Sequence, residues 1–256
     1  MVEIRKKAAL VTGAGRRIGR AIALDLATHG WAVAVHYRSS KDEADGVVSE
    51  IEALGGHAAA VQADLASESD AEALVPLAVE RLGPLACLVN NASRFEPDDA
   101  LTATRESWDA HLETNLRAPF VLSQAFARQL PEDETGAIVN IIDQRVWNPT
   151  PAFLSYTLSK AGLWTLTRTL AMALAPRIRV NGIGPGPTLR NVRQSEEDFA
   201  AQWRSLPLRR PTAPEEICAA LRYILDAPAM TGQMIALDGG EHLGWAQPAS
   251  GFIPVE

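Results

Sequence analysis

Tyr156 and Lys160 stand four positions apart in a stretch of helical pattern, and Asp143 closes a short apolar run thirteen positions before the tyrosine. Residues four apart share one helix face, so the Lys160 ammonium can lie beside the Tyr156 phenol and favour its ionised form below the ordinary value of about 10. A phenol tuned in that way is a general acid for neutral pH. The same spacing occurs by chance in many helices, so the pair takes its meaning from what surrounds it.

The first apolar run ends in Thr12-Gly13-Ala14-Gly15-Arg16-Arg17-Ile18-Gly19 and passes into a helical pattern. Glycines at such a turn let the backbone approach a pyrophosphate, and the helix amino terminus supplies N–H donors and partial positive charge. Arg17 stands where small residues are more usual, and from there an arginine can reach into a cleft toward phosphate or substrate. The second strand ends in His36-Tyr37-Arg38-Ser39-Ser40, with no carboxylate before Asp42 to accept from ribose hydroxyls. Arg38 with the serine hydroxyls suits a 2′-phosphate dianion. The segment reads equally well as a solvated loop with a helix cap at Ser40. Joined to the glycine turn upstream, it favours NADP(H).

These residues need a scaffold that brings strand ends together. The candidate strands are Ala8 to Thr12, Ala32 to Tyr37, Ala58 to Ala63, Leu85 to Asn90, Ala137 to Ile142, Ile178 to Ile183 and Met234 to Leu237. Helical patterns lie between them, near Ile18 to Thr28, Lys41 to Leu54, Glu68 to Arg81, Arg105 to Gln129, Ser155 to Leu174 and Pro214 to Leu225. Ser67 and Thr212 offer cap chemistry before the third and the last of these. The alternation predicts an α/β fold, a single doubly wound Rossmann domain over 1–256 with a seven-stranded parallel sheet flanked by helices. Thr188 to Pro211 interrupts the alternation beyond a strand's carboxyl end, where a substrate lid over 188–211 is expected. Arg190, Arg193 and Trp203 are substrate-contact candidates there, although an exposed lid face explains them equally.

Composition narrows the function classes. The 256 residues are 47% hydrophobic and 21% charged, which is the composition of a folded globular protein rather than of a disordered chain or coiled coil. Twenty-four basic against 31 acidic residues give a net charge of −7, so no basic field favours nucleic acid or an anionic membrane, and a small-molecule partner is expected. Cys87 and Cys218 are far apart within apolar segments, as buried thiols rather than a disulfide or metal site. No metal is expected. The first residues lack a secretory pattern and no apolar stretch reaches membrane-spanning length, so a cytoplasmic protein is expected.

Together these segments resemble the short-chain dehydrogenase/reductase family, from Thr12 to about Gly240. The resemblance rests on the glycine turn, Asp64 after the third strand, Asn90-Asn91-Ala92, Asn115, Tyr156-x-x-x-Lys160 and Pro185-Gly186. It implies that Tyr156 protonates the reduced atom, that Lys160 binds the nicotinamide ribose and lowers the tyrosine pKa, and that Asn115 holds a water in a proton relay. It implies further that NADPH or NADP+ is held by Gly13, Arg16, Arg17, Ile18, Gly19, Tyr37, Arg38, Ser39, Asp64, Leu65, Asn91, Ala92, Ser93, Lys160, Pro185, Gly186 and Thr188. A homotetramer is also implied.

One position departs from the family. A serine normally stands where this chain has Asp143, and a carboxylate there would repel a developing alkoxide. An aspartate suits a nitrogenous substrate, since it accepts N–H bonds or, if burial raises its pKa, delivers a proton to a ring nitrogen. That pattern is similar to the pteridine reductases and dihydromonapterin reductases, as are Arg17, His36-Tyr37-Arg38-Ser39, Ser93, Phe95 and Asn181-Gly182-Ile183-Gly184-Pro185-Gly186. The likeness implies that Phe95 stacks the pterin, that Ser93 and Arg17 contact cofactor phosphate or pterin, and that Asp143 and Tyr156 manage the protons of a C=N reduction. Trp245 stands where those enzymes can place an arginine. The alternatives are a carbonyl reductase of the same family and a non-catalytic NADP(H) sensor.

Overall fold

The structure is a computed structural model that describes residues 7–244, so the expectation for Trp245 lies outside the described residues. Seven strands are laid down in chain order: β1 Ala8–Val11, β2 Ala32–Tyr37, β3 His57–Gln62, β4 Leu85–Asn90, β5 Gly136–Ile141, β6 Ile178–Pro185 and β7 Met234–Leu237. They form one all-parallel sheet in the order β3-β2-β1-β4-β5-β6-β7. The fold class read from the sequence is borne out. β1, β2 and β5 are buried along their whole length, the signature of strands covered on both faces, whereas edge strand β3 is exposed at both its ends.

Among the described residues there are eight α-helices: α1 Arg17–Thr28, α2 Lys41–Ala53, α3 Glu68–Leu82, α4 Arg105–Leu112, α5 Ala118–Gln129, α6 Leu154–Ala173, α7 Glu196–Arg204 and α8 Pro214–Asp226. On one face Ile22 and Leu26 of α1 join Val47 and Ile51 of α2 and Ile217, Leu221 and Ile224 of α8 over Ala9, Val11 and Val35. On the other, Leu74 and Val75 of α3, Leu122 and Phe126 of α5 and Leu170 of α6 cover Leu10, Leu88 and Ile138. Cys87 and Cys218 are buried free thiols within the first layer. Among the described residues no helix is long and apolar enough to cross a membrane.

Three local expectations are corrected. The single helix expected over Arg105 to Gln129 is broken by a π-helical segment, Glu113–Arg117. Pro119 has no N–H to return to the Asn115 carbonyl in α register, which favours a wider turn there, and periodicity does not report it. Thr212 does not cap α8, because its hydroxyl donates to the Leu237 carbonyl (2.6 Å), while Glu216 accepts the N–H of the actual N-cap residue Ala213 (2.8 Å). The 188–211 segment contains a helix, α7, opened by a reciprocal Ser195–Asp198 capping box. Ser67 caps α3 as expected, accepting from the Asp70 N–H.

Candidate active site

β1 and β4 are neighbours in the sheet although β2 and β3 intervene in the chain, so a crevice opens where their connections part to opposite faces. A cavity of about 640 Å³ occupies this carboxyl edge, lined at one end by Gly13, Arg16, Arg17 and Arg38 and at the other by Asp143, Tyr156 and Glu241. The glycine turn is shaped by contacts that tolerate no side chain. Gly13 adopts φ +63°, and a Cβ on Gly19 would lie 2.2 Å from the Gly13 carbonyl oxygen and 2.5 Å from Asn91 Nδ2. Asn91 Nδ2 donates to the carbonyls of Thr12 (2.8 Å) and Gly13 (3.2 Å), and the Thr12 hydroxyl accepts from the Asn91 and Ala92 N–H groups (both 2.9 Å).

His36 completes this turn. The Gly13 N–H donates to its Nδ1 (2.9 Å), which leaves Nε2–H to donate to the Ala63 carbonyl (3.1 Å). Burial pushes the ring down to about 4, so it is neutral in the tautomer both bonds require. Tyr37, buried, and Arg38 and Ser39, exposed, all line the cavity wall. Asp64 and Leu65 line the same end, and Asp64 Oδ1 accepts from the Ala66 N–H (3.0 Å).

Arg17 is the first residue of α1 and carries φ +54°. The left-handed backbone explains why a small residue is the usual occupant, since a side chain there costs about 1 kcal/mol or more. Its guanidinium donates to the carbonyls of Leu189 and Arg190 (both 2.8 Å), joining the glycine turn to the segment beyond β6. On the facing wall lie Pro185, Gly186 and Thr188, whose hydroxyl donates to the Gly186 carbonyl (3.0 Å).

At the other end, the Tyr156 hydroxyl donates to Asp143 Oδ2 (2.8 Å). Asp143 follows β5 as the N-cap of a short 3-10 turn, and its Oδ1 accepts the Arg145 N–H (2.8 Å). The α6 helix is fastened to the sheet through a buried chain: Asn90 Nδ2 donates to Asn140 Oδ1 (2.8 Å), and Asn140 Nδ2 donates to Thr167 Oγ1 (2.8 Å). The expected effect of the lysine on the tyrosine is corrected here. Lys160 Nζ lies 5.8 Å from the Tyr156 ring centre and donates to the Ile141 carbonyl (2.9 Å). Burial first, then the Asp143 charge and hydrogen bond, raise the Tyr156 pKa well above its ordinary value, with Arg145 opposing. Burial pushes Lys160 down to about 8, with Asp143 acting in the opposite sense. The pair is therefore a neutral phenol donating to a carboxylate, able to give a proton from one oxygen and take one at the other.

Asn115 is fully buried in the π-helical segment. Its Nδ2 donates to the Arg94 carbonyl (2.9 Å) and Ser159 Oγ (3.0 Å), and its Oδ1 accepts the Arg94 N–H (2.7 Å). Its side chain anchors the main chain after β4.

That anchored loop carries Ser93, exposed on the cavity rim, and Phe95. Phe95 stacks on Phe153 (centroids 4.5 Å apart, 11° between planes) and meets Tyr156 edge-on at 4.6 Å. Arg193 lies over the Phe95 ring at 5.2 Å, donates to the Phe95 carbonyl (3.1 Å) and pairs with Glu96 (3.1 Å). Arg190 donates to the Gln194 carbonyl (2.7 Å), and the α7 residues on the cavity wall are Phe199 and Gln202 instead of Trp203.

Four features escaped the sequence reading. Phe153 sits at φ +58° before α6, and no local pattern marks it. His111 accepts the Glu96 N–H at Nε2 (3.0 Å), which leaves Nδ1 to donate to Ser155 Oγ (2.7 Å), whose hydroxyl in turn donates to Asp98. This buried relay ties the Phe95 loop to the first turn of α6; a histidine on a helix's inner face was its only trace. The structural role of His36 was hidden within a strand. Glu241, after β7, lines the cavity near Asp143, and burial together with that neighbour raises its carboxyl to about 7.

Comparison with known proteins places this geometry in context. The family described as short chain dehydrogenase matches residues 7–200. A 3-oxoacyl-[acyl-carrier-protein] reductase from Synechocystis sp. is 35% identical over 246 residues, covering 94% of this chain and 98% of that protein. Among solved structures, FolM alternative dihydrofolate reductase 1 from Brucella canis, complexed with NADP, superposes with a TM-score of 0.92 at 50% identity, covering 96% of this chain and 98% of the other. A blue fluorescent protein from a metagenomic library, in complex with NADPH, gives a TM-score of 0.85 at 33% identity over 93% of this chain and 98% of the other.

Proposed function

The chain belongs to the short-chain dehydrogenase/reductase family, and from that premise we propose that it reduces a C=N bond of a pterin-like substrate of the dihydrobiopterin, dihydromonapterin or folate type. It is an NADP-dependent oxidoreductase. The residues present fit that cofactor, because Gly13, Gly19 and Gly186 keep the cavity wall bare where a Cβ would strike neighbouring atoms. The glycine turn, with Arg16, Ile18, Asn91 and Ala92, would hold the pyrophosphate half. Arg38 and Ser39 would hold the 2′-phosphate, Asp64 and Leu65 the adenine end, and Lys160, Pro185, Gly186 and Thr188 the nicotinamide end. When bound, NADPH supplies the hydride.

The observation that carries the substrate reading is the Tyr156 hydroxyl hydrogen-bonded to the Asp143 carboxylate at 2.8 Å. A nitrogen next to the reduced carbon needs a proton. Tyr156 can donate its phenolic proton to that nitrogen, becoming a phenolate, and Asp143 can either pass a proton taken from water back to the phenolate or accept an N–H of the substrate. A ketone offers no donor to Asp143, and its developing negative charge would face a carboxylate. Phe95, held by Phe153 and by Arg193, presents an aromatic face of the kind a flat heterocycle stacks on. Arg17 and Ser93 stand at the rim for contacts to substrate or phosphate, and 188–211 serves as the lid. A homotetramer belongs to the same reading, a point that sedimentation tests.

The sequence likeness to 3-oxoacyl-[acyl-carrier-protein] reductase favours a second reading, a carbonyl reductase. NADPH oxidation measured with dihydropterins, dihydrofolate, ketones and quinones separates the two. Dihydropterins as the best substrates, with turnover lost in Tyr156→Phe, support the heterocycle. Ketones outperforming every pterin replace it with the second reading.

A further inference from the structure

We propose that Glu241 and Gln144 form an acceptor wall that binds an N–H-rich edge of the ligand, a ring amidine such as an aminopyrimidine. Both residues line the same cavity as Asp143 and Tyr156, yet they come from different strand ends, Gln144 after β5 and Glu241 after β7. Glu241 Oε2 is shielded from solvent and has no hydrogen-bond partner among the described residues; the same is true of Gln144 Oε1, on a residue only 4% exposed. The Glu241 carboxyl is held against the Gly186 turn, where a Cβ would come within 3.1 Å of Oε2. Its main chain is fixed independently, with the Glu241 carbonyl accepting from Asn148 Nδ2 (3.2 Å).

Two acceptors closed to water and without partners are unfavourable, and turned toward the cavity that both residues line they would meet ligand donors there. A ketone or an acyl chain brings only acceptors or carbon. A phosphate or carboxylate would face Asp143, Glu241 and Asp238 together, with Arg145 as the opposing charge. An amidine edge brings two parallel N–H groups, which a carboxylate accepts in bidentate fashion and more strongly as positive charge develops on the ring. Burial and the Asp143 charge hold Glu241 at about 7, so the carboxyl is poised to share a proton with such a ring. The inference deepens the pterin reading, whose pyrimidine ring has such an edge, but it concerns ligand binding and can be tested without turnover.

The probe is 2,4-diaminopyrimidine, titrated by calorimetry into the full chain with NADP+ present, for wild type, Glu241→Gln and Gln144→Met. The wild type is expected to bind it, and Glu241→Gln to bind it at least about tenfold more weakly, the loss of one charge-assisted bond, while NADP+ affinity is unchanged. In steady state the same substitution should raise the dihydropterin KM with little change in kcat. Should Glu241→Gln fail to fold, as judged by its melting temperature, Gln144→Met carries the comparison with a smaller loss. Equal affinities in wild type and folded variants, or no binding by wild type, overturn the inference. Binding lost in the variant while wild type reduces no pterin upholds the acceptor wall and rejects the proposed reaction.

Discussion

Asp143→Asn tests the proposed chemistry at its centre. The substitution keeps the shape of the side chain and an oxygen that can still accept from Tyr156, but it removes the charge and the ability to carry a proton. The 2.8 Å bond loses its charge assistance, a difference of about 1–1.5 kcal/mol, or roughly 5- to 10-fold. Loss of the proton return from Asp143 to Tyr156 adds a factor that for general acid–base catalysis is typically about 10² to 10⁴. The dihydropterin kcat should therefore fall by at least about 100-fold. A simple ketone, which gains nothing from the carboxylate, should be reduced no more slowly than by wild type, and the KM for NADPH should stay unchanged. Because the Asp143 charge and hydrogen bond help to hold the Tyr156 phenol up, its ionisation should move to lower pH in the variant. Difference absorbance can follow this directly, as the chain has three tyrosines. Equal losses on ketone and pterin, or a tyrosine titration that does not move, would refute the reasoning.

Gly19→Ala should abolish measurable NADP+ binding by calorimetry while leaving the circular dichroism spectrum of the sheet intact, because the new Cβ meets the Gly13 carbonyl at 2.2 Å and the turn must shift. Arg38→Ala should raise the KM for NADPH about tenfold or more and leave that for NADH unchanged, the loss of a charge-assisted bond to one phosphate; an equal effect on both cofactors would remove Arg38 from that role. His36 carries a pH prediction. The folded ring titrates at about 4 and the unfolded one at 6.5, so the unfolded chain takes up a proton that the folded chain refuses. This stability is complete above pH 6.5 and is lost as pH falls through that window toward 4. In His36→Phe, melting temperatures measured across the window should show a flatter pH dependence, on top of a loss of about 2–4 kcal/mol from two buried hydrogen bonds left unmade.

Much of this protein was legible from local pattern. Strands β2, β4 and β7 have the bounds their apolar runs predict, since an apolar run closed by turn-forming residues states its own limits. The glycine turn, Asp143 and the Tyr156–Lys160 pair could be placed at the carboxyl edge of a parallel sheet because their positions depend only on the alternation of strand and helix. What the groups do to one another depended on the tertiary structure. The spacing of Tyr156 and Lys160 suggested an ammonium acting on a phenol, whereas the fold buries both, turns the ammonium to the Ile141 carbonyl and brings the phenol to Asp143 from another element. Arg17 was visible as an unusual residue, but its left-handed backbone and its bonds to Leu189 and Arg190 arise only when the chain closes on itself. His111 and Ser155, Phe95 and Phe153, and Asp143 and Glu241 are likewise neighbours across 44, 58 and 98 positions of chain, by subtraction of their numbers. Periodicity reports which way a side chain faces over a few residues. Burial, charge coupling and hydrogen-bond direction are set by whichever distant element packs against it.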